Sequence, residues 1–284
     1  MIKRQYDDEK DHVHVLSYGG GTQSTALLLM ALKGEINGVI PDYIIFSDTG
    51  NEPRYVIKQM RRVNKYIKEK YNKEIIVTSK GNIYEDLMRA SETGERVASL
   101  PFHTINSDTG LDGFGRRQCT EDYKIVPIKK KIRELLGYKP RQRIKEMVHM
   151  WKGISTNEIQ RVKPIQDKWI TAEHPLVDVV DIDRSRCITY VERELGFTPK
   201  ASACIICPFH DNSHWLEIKR GDSDGFEDAC KLDEKIRNGL AYKDELFLHK
   251  SRKPLRKVDF NEDQLELDLD IDHFLNECEG MCGV

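Results

Sequence analysis

The sequence predicts an α/β fold, a parallel twisted sheet with helices on both faces, followed by a smaller helical, cysteine-containing C-terminal region. Three observations carry that prediction. Strand and helix patterns alternate through the N-terminal half in the order βαβαβ, the signature of a parallel sheet with crossover helices. A glycine triplet, Gly19 to Gly21, joins the first strand to the first helix. The composition, 39% hydrophobic and 32% charged over 284 residues, belongs to a globular chain long enough to bury a sizeable core.

Each element has its own signal. VHVLS (13–17) reads as the first strand, and the apolar run that follows as a helix over 24–34 with Gly34 at its C-cap. DYIIFS (42–47) is the second strand, and a helix over 54–71 follows with Pro53 in its first turn. EIIVT (74–78) is the third strand. Beyond residue 80 the pattern loosens into a Gly/Ser/Thr/Asp-rich stretch (91–115), a basic helix (124–136), a strand-like VHMWKGI (148–154) and a helix over 184–195. A soft boundary near residue 163 separates a ligand-binding domain, 1–163, from a C-terminal region, 164–284, that holds a C-x2-C pair and an acidic tail rich in cysteine.

Several function classes drop out early. The longest apolar stretch, Ala26 to Leu32, falls far short of the roughly 18 residues of a spanning helix, so no membrane association is expected. The opening residues MIKRQYDDEKD lack the apolar core of a signal peptide, and the expected compartment is the cytoplasm. Seven cysteines, an odd number in a chain too large to need disulfides, point to metal binding or thiol chemistry. The net charge of −2 names no partner, but the charge is uneven: Lys124 to Lys145 holds nine Lys/Arg against one Glu, and Asp259 to Glu279 nine Asp/Glu with no Lys/Arg. The basic stretch is either an anion-binding surface or a solvated helix face.

Ser17-Tyr18-Gly19-Gly20-Gly21-Thr22-Gln23-Ser24-Thr25 lies where ligands bind in open parallel sheets, at the carboxyl end of a strand. The glycines permit positive φ and close approach of an anion. Ser17, Ser24, Thr25 and the unpaired N–H groups at the helix start can donate to phosphate oxygens. The pattern is neither GxxxxGK[ST] nor GxGxxG. Asp48, in Phe46-Ser47-Asp48-Thr49-Gly50 with Pro53 following, is either a ligand-side carboxylate or a turn cap.

Together these two loops resemble the PP-loop ATP pyrophosphatase superfamily, in particular its phosphoadenosine phosphosulfate (PAPS) reductase family, of the type found in DNA phosphorothioation and tRNA thiolation systems. The match continues in order through Arg116-Arg117-Gln118-Cys119 with Lys124 and Pro127, Trp151-Lys152-Gly153-Ile154 with Asn157, Glu158 and Arg161, His174-Pro175-Leu176-Val177-Asp178, and Ala203-Cys204-Ile205-Ile206-Cys207-Pro208. The resemblance implies an adenine nucleotide alpha hydrolase-like fold. It implies ATP (or PAPS) with Mg²⁺ as the ligand, held by Ser17, Gly19, Gly20, Gly21, Gln23, Ser24 and Thr25, with Asp48 beside the phosphates. Arg116, Arg117 and Arg161 are candidate anion contacts. Two positions depart from the family pattern: Gln23 stands where many pyrophosphatases carry Asp, and Ser155 where reductases carry Arg.

Cys204 and Cys207 can grip one metal or one edge of an iron–sulfur cluster. The resemblance adds Cys119 as a third ligand; the fourth is Cys278, Cys282 or Cys187, and Cys278 is taken here, with the roles of Cys278 and Cys282 open to exchange. A 4Fe-4S cluster is expected, with structural zinc and redox thiols as the other readings. The ending Cys278-Glu279-Gly280-Met281-Cys282-Gly283 is similar to the reductases' mobile Glu-Cys-Gly tail, which makes Cys282 the candidate nucleophile or persulfide carrier. Cys187 and Cys230, at apolar-periodic positions, read as core.

The expected function is therefore an ATP pyrophosphatase/sulfurtransferase that adenylylates an acceptor and supports sulfur insertion, with Asp48 and Cys282 as catalytic residues. The basic stretch favours a nucleic acid acceptor, and a cysteine desulfurase and other modification-system proteins are the partners implied. Two alternatives stand beside it: a PAPS or adenosine phosphosulfate reductase releasing sulfite, and a non-catalytic nucleotide- and cluster-binding subunit of a multiprotein system.

Overall fold

A computed structural model describes residues 10–162, 165, 167–238, 240, 242 and 244–260. In chain order the elements are β1 (His12–Ser17), α1 (Thr22–Leu32), β2 (Tyr43–Asp48), α2 (Arg54–Tyr71), β3 (Ile75–Ser79), α3 (Ile83–Thr93), β4 (His103–Ile105) and β5 (Asp112–Phe114). A π-helical turn over Glu121–Ile125 leads into α4 (Val126–Leu135); β6 (Met147–Lys152) and a 3-10 helix over Thr156–Arg161 follow. Then come β7 (Ile170–Glu173), α5 (Pro175–Asp178), α6 (Arg184–Leu195), α7 (Asn212–Gly221), α8 (Ser223–Ile236) and β8 (Glu245–Phe247).

Five strands form a parallel sheet in the order β3-β2-β1-β6-β7. The chain builds outward from β1 through β2 to β3, then returns to the other side of β1 to add β6 and β7. That reversal opens a crevice between the carboxyl ends of β1 and β6, where Ser17 lies in register with Lys152. The sheet crosses residue 163, because β7 pairs with β6.

Helices cover both faces, as the alternation of elements requires. On one face α1, α2 and α6 pack against Leu16, Ile44, Phe46 and Trp151; on the other, Ile128 and Ile132 of α4 meet Val15, Ile45, Val148 and Met150. All eleven residues of α1 are buried, since α6 covers the side that the sheet leaves open. α2 is amphipathic, burying Val56, Met60, Val63 and Ile67 at helical spacing, and it starts directly after Pro53, which occupies the cap position rather than the first turn. Gly34, at φ +79°, follows the cap residue Lys33 and turns the chain out of α1.

A second apolar cluster joins α3 to α7, α8, β8 and Trp215. Beside it a three-stranded antiparallel sheet, β5-β4-β8, is built from the Gly/Ser/Thr/Asp-rich stretch and residues 245–247. Among the described residues no helix is long and apolar enough to cross a membrane.

Candidate functional site

The glycine loop occupies the end of β1 at the crevice. Tyr18 N–H donates to Ile45 O at 2.9 Å, extending the sheet by one bond before the chain turns. Gly20 sits at φ +83°, and a Cβ there would lie 3.3 Å from Phe46 Cε2, so both the backbone angle and the packing ask for glycine. Gln59 Nε2 donates to the Gly20 carbonyl at 2.8 Å and fixes the loop against α2. No side chain caps α1 at Gly21, and its first turn holds no acidic residue, so nothing there offsets the partial positive charge of the helix N-terminus.

Residues Ser17 to Thr25 are all buried, and their hydroxyls divide into two sets. Thr25 Oγ1 donates to Gly21 O at 2.6 Å and lies 3.0 Å from Tyr18 OH, while Ser24 Oγ donates to Gly21 O at 3.3 Å; these two brace the loop from within. Ser17 Oγ and Thr22 Oγ1, 2% and 0% exposed by residue, have no hydrogen-bond partner, nor has Gln23 Oε1. Buried polar atoms are rarely left so, and three of them stand together at this loop.

Gln23 is held by a residue from the other side of the crevice. Its Nε2 donates to Glu158 Oε2 at 3.0 Å, and Arg161 Nη1 donates to Glu158 Oε1 at 2.7 Å. Glu158 is fully buried, so its charge is compensated by the Arg161 guanidinium and the Gln23 amide together. Arg161 thus reaches the loop through Glu158. Ser155 is also buried, its hydroxyl donating to Asn157 Oδ1 at 2.8 Å. Lys152, buried at the end of β6, faces His174; burial and then this ammonium hold the His174 pKa below the ordinary histidine value.

Asp48 ends β2, and its Oδ1 accepts from Gly50 N–H at 2.8 Å, closing the turn. Gly50, at φ +71°, presses on Asn82, whose Cα would stand 2.8 Å from an added Cβ. Thr49 then points away from the glycine loop and toward the cysteines, its Oγ1 3.1 Å from Cys204 Sγ.

Cys119, Cys204 and Cys207 line one pocket together with Thr49, Lys124, Arg117 and Phe209. Cys207 N–H donates to Cys204 O at 3.1 Å, the tight turn that a C-x2-C pair makes. Behind the pocket, Glu52 is a buried carboxylate shared by four groups: Lys124 Nζ at 3.6 Å, Thr49 Oγ1 at 3.4 Å, Ser202 Oγ at 3.2 Å and Cys204 Sγ at 3.8 Å. Ser202 Oγ also stands 3.6 Å from the Cβ position of Gly20, so residues 202–204 run from the glycine loop to the cysteine pocket. His210 Nε2–H donates to Cys204 O at 2.8 Å; burial, with His214 beside it, pushes its pKa down to about 3 and keeps the ring neutral.

The remaining expectations fall as follows. Arg117 lies over the Phe209 ring, 5.3 Å from its centroid, on the cysteine side, and Arg116 next to it is exposed. Cys187 and Cys230 are fully buried, and burial pushes the Cys230 thiol up to about 11. Cys278 and Cys282 lie outside the described residues, as does the acidic tail beyond Phe260. Among the described residues no three His, Cys, Asp or Glu side chains converge on a single ion position; the three thiols share a pocket wall instead.

Sequence reasoning overlooked Glu52 and Thr22. Glu52 sits two residues after Gly50 in the same loop, and nothing in its local pattern distinguishes a buried acid from a solvated one. A further group lies lower on the sheet: His12 Nδ1 is 2.8 Å from His149 Nε2, and His149 Nδ1 is 2.8 Å from Glu173 Oε1. No family model matches the chain, and no curated protein matches it.

Proposed function

We propose that the chain is a PP-loop ATP pyrophosphatase of the PAPS reductase type that activates a nucleic acid acceptor for sulfur insertion. The observation that carries this reading is the pair of buried, partnerless hydroxyls, Ser17 Oγ and Thr22 Oγ1, at the uncapped start of α1. A triphosphate offers the acceptors that these donors and the helix N-terminus require.

An acceptor oxygen attacks the α-phosphorus of ATP, the bond to the β-phosphate breaks, and pyrophosphate leaves; a sulfur nucleophile then displaces AMP from the activated acceptor. The chain's own part is to hold the phosphates on the glycine loop and to orient them through Gln23, Glu158 and Arg161. Asp48 and the Gln23 carbonyl oxygen, a buried acceptor, are the residues that would hold Mg²⁺, whose role is to offset charge on the departing pyrophosphate. Cys119, Cys204 and Cys207, which line one pocket, would hold a 4Fe-4S cluster together with Cys278. Cys282 is the proposed sulfur carrier, and a cysteine desulfurase the proposed source.

The test is pyrophosphate release from ATP and Mg²⁺ by anaerobically purified protein, with and without DNA or tRNA, run beside sulfite release from PAPS with a thiol reductant. Pyrophosphate stimulated by one nucleic acid supports the reading. Sulfite without pyrophosphate replaces it with a reductase, and ATP binding without turnover replaces it with a nucleotide-binding subunit.

A further inference from the structure

The β4–β5 hairpin presents an aromatic surface next to the cysteine pocket. Phe114, on the edge strand β5, is 49% exposed, and Leu111 in the hairpin loop is 69% exposed. The Phe114 ring meets His103 edge-on at 5.0 Å and lies 5.4 Å from Phe209 at a tilt of 45°. Phe209 in turn carries the Arg117 guanidinium and lines the pocket of Cys119, Cys204 and Cys207. His103 ties the two parts together, its Nε2–H donating to Pro208 O at 3.1 Å.

The setting of Phe114 is specific. Its two neighbours are Gly113 and Gly115, where an added Cβ would stand 2.5 Å from Thr104 Oγ1 and 2.9 Å from Leu100 O. Gly113 therefore fits against Thr104 of β4, and Gly115 against the Leu100 backbone, only without a side chain, and the large residue between them is half turned to solvent. Its contacts with His103 and Phe209 cover half of it, and the other half is left to solvent.

Cations and acids are both near it. Arg116 and Arg117 follow the hairpin directly, Asp108 and Asp112 lie within it, and Leu246 to Val258 holds five Lys/Arg, of which Arg256 is paired with Glu227 and Glu234. This second segment is fixed to the hairpin by Arg252, whose Nε donates to Thr104 O at 3.1 Å and whose Nη1 pairs with Asp112 at 3.0 Å. Aromatic rings that can stack on bases, set among guanidinium and ammonium groups, are the means by which proteins hold unpaired nucleotides.

We infer that Phe114, Phe209 and Arg117 form a stacking platform for unpaired bases of single-stranded nucleic acid, placing the strand at the mouth of the cysteine pocket. The inference rests on the sulfur-transfer reading for its purpose, but the binding it describes does not require ATP. A duplex keeps its bases stacked inside and offers the platform only its backbone.

Fluorescence anisotropy of the full chain with labelled 20-nucleotide single-stranded DNA, the RNA of matching sequence, and the corresponding duplex tests it. The expected result is tighter binding of at least one single strand than of the duplex, a loss of about tenfold or more for Phe114→Ala, and recovery in Phe114→Trp. Titration with ATP is expected to be unchanged in Phe114→Ala. Equal or tighter duplex binding, no oligonucleotide binding, or an affinity indifferent to Phe114→Ala would each overturn the platform, the last two leaving the surface to a protein partner or to no partner. If ATP neither binds nor reacts while Phe114-dependent single-strand binding persists, the pyrophosphatase reading fails and the platform stands.

Discussion

Gln23 donates from Nε2 to Glu158 Oε2 at 3.0 Å, tying the first turn of α1 to the short helix that follows β6 across the crevice where the sheet reverses. The bond settles which way the amide faces, because the opposite orientation would set its carbonyl against a carboxylate. It leaves Gln23 Oε1 as a buried acceptor without a partner, a role that a carboxylate at this position would fill with a charge.

Glu158→Ala removes the common partner of Gln23 and Arg161 and takes a buried carboxylate away from the Arg161 guanidinium. Breaking one side of such a pair costs about 3–5 kcal/mol, which denaturant titration of wild type and variant would register. A change below about 1 kcal/mol would mean that the pair is solvated and does not organise the crevice.

Gly20→Ala forces an L-residue to φ +83° and pushes its methyl against Phe46. Strain of this kind costs about 1–3 kcal/mol. Gly94→Ala, also at positive φ but with no atom within 4 Å of the added Cβ, is the control for backbone strain alone. The expected outcome is that Gly20→Ala lowers both the denaturation midpoint and ATP affinity, while Gly94→Ala lowers only the midpoint.

His14 and His174 are both held below the usual histidine pKa. For His14 burial is the main cause and the neighbouring His149 the next; for His174 it is burial, then Lys152, against the opposing pull of Asp178 and Glu173. In the unfolded chain each takes up a proton below about pH 6.5, while in the folded chain each resists. The unfolded state therefore binds more protons in this window, and stability falls as the pH drops from about 6.5. Denaturation midpoints at pH 7.5 and 5.5 are expected to differ less in the His14→Gln, His174→Gln double variant than in wild type.

Alkylation at pH 8 followed by mass spectrometry separates the cysteines by environment. Cys187 and Cys230 are buried in helix interfaces and are expected to remain unmodified until the protein is denatured, and the raised thiol pKa of Cys230 acts in the same direction. Rapid native labelling of Cys230 would show that α8 opens readily from the second core.

Much of the parallel sheet was legible in the sequence. The helices over 54–71 and 184–195 begin and end where their periodicity placed them, and β1, β2, β3 and β6 lie within a residue or two of their apolar runs, whereas β7, four residues long, has no run of its own. The matching elements are long or continuously apolar, so local pattern and tertiary burial agree. The β4–β5 hairpin was not legible. Its strands have three residues each and its glycines serve close approach to the neighbouring backbone, which reads as loop composition. The basic stretch gave a misleading picture of a single charged face: Lys124 is buried against Glu52, Lys129 pairs with Asp167 at 2.8 Å and Lys131 with Glu134 at 2.7 Å. Those partners come partly from distant segments, and composition carries no information about them. The glycine loop reads in the sequence as a candidate anion site through Ser17, Ser24 and Thr25, and only the folded loop distinguishes the hydroxyls that brace it, those of Ser24 and Thr25, from those of Ser17 and Thr22, which have no partner.

The most direct measurement is calorimetric titration of ATP into wild type and Ser17→Ala. Ser17 Oγ has no partner within the protein, so its removal is expected to leave the fold intact or slightly more stable. If that hydroxyl waits for a phosphate, ATP affinity falls about tenfold or more while the denaturation midpoint holds. Unchanged ATP affinity in the variant, or no binding of ATP to wild type, would contradict the account at its centre.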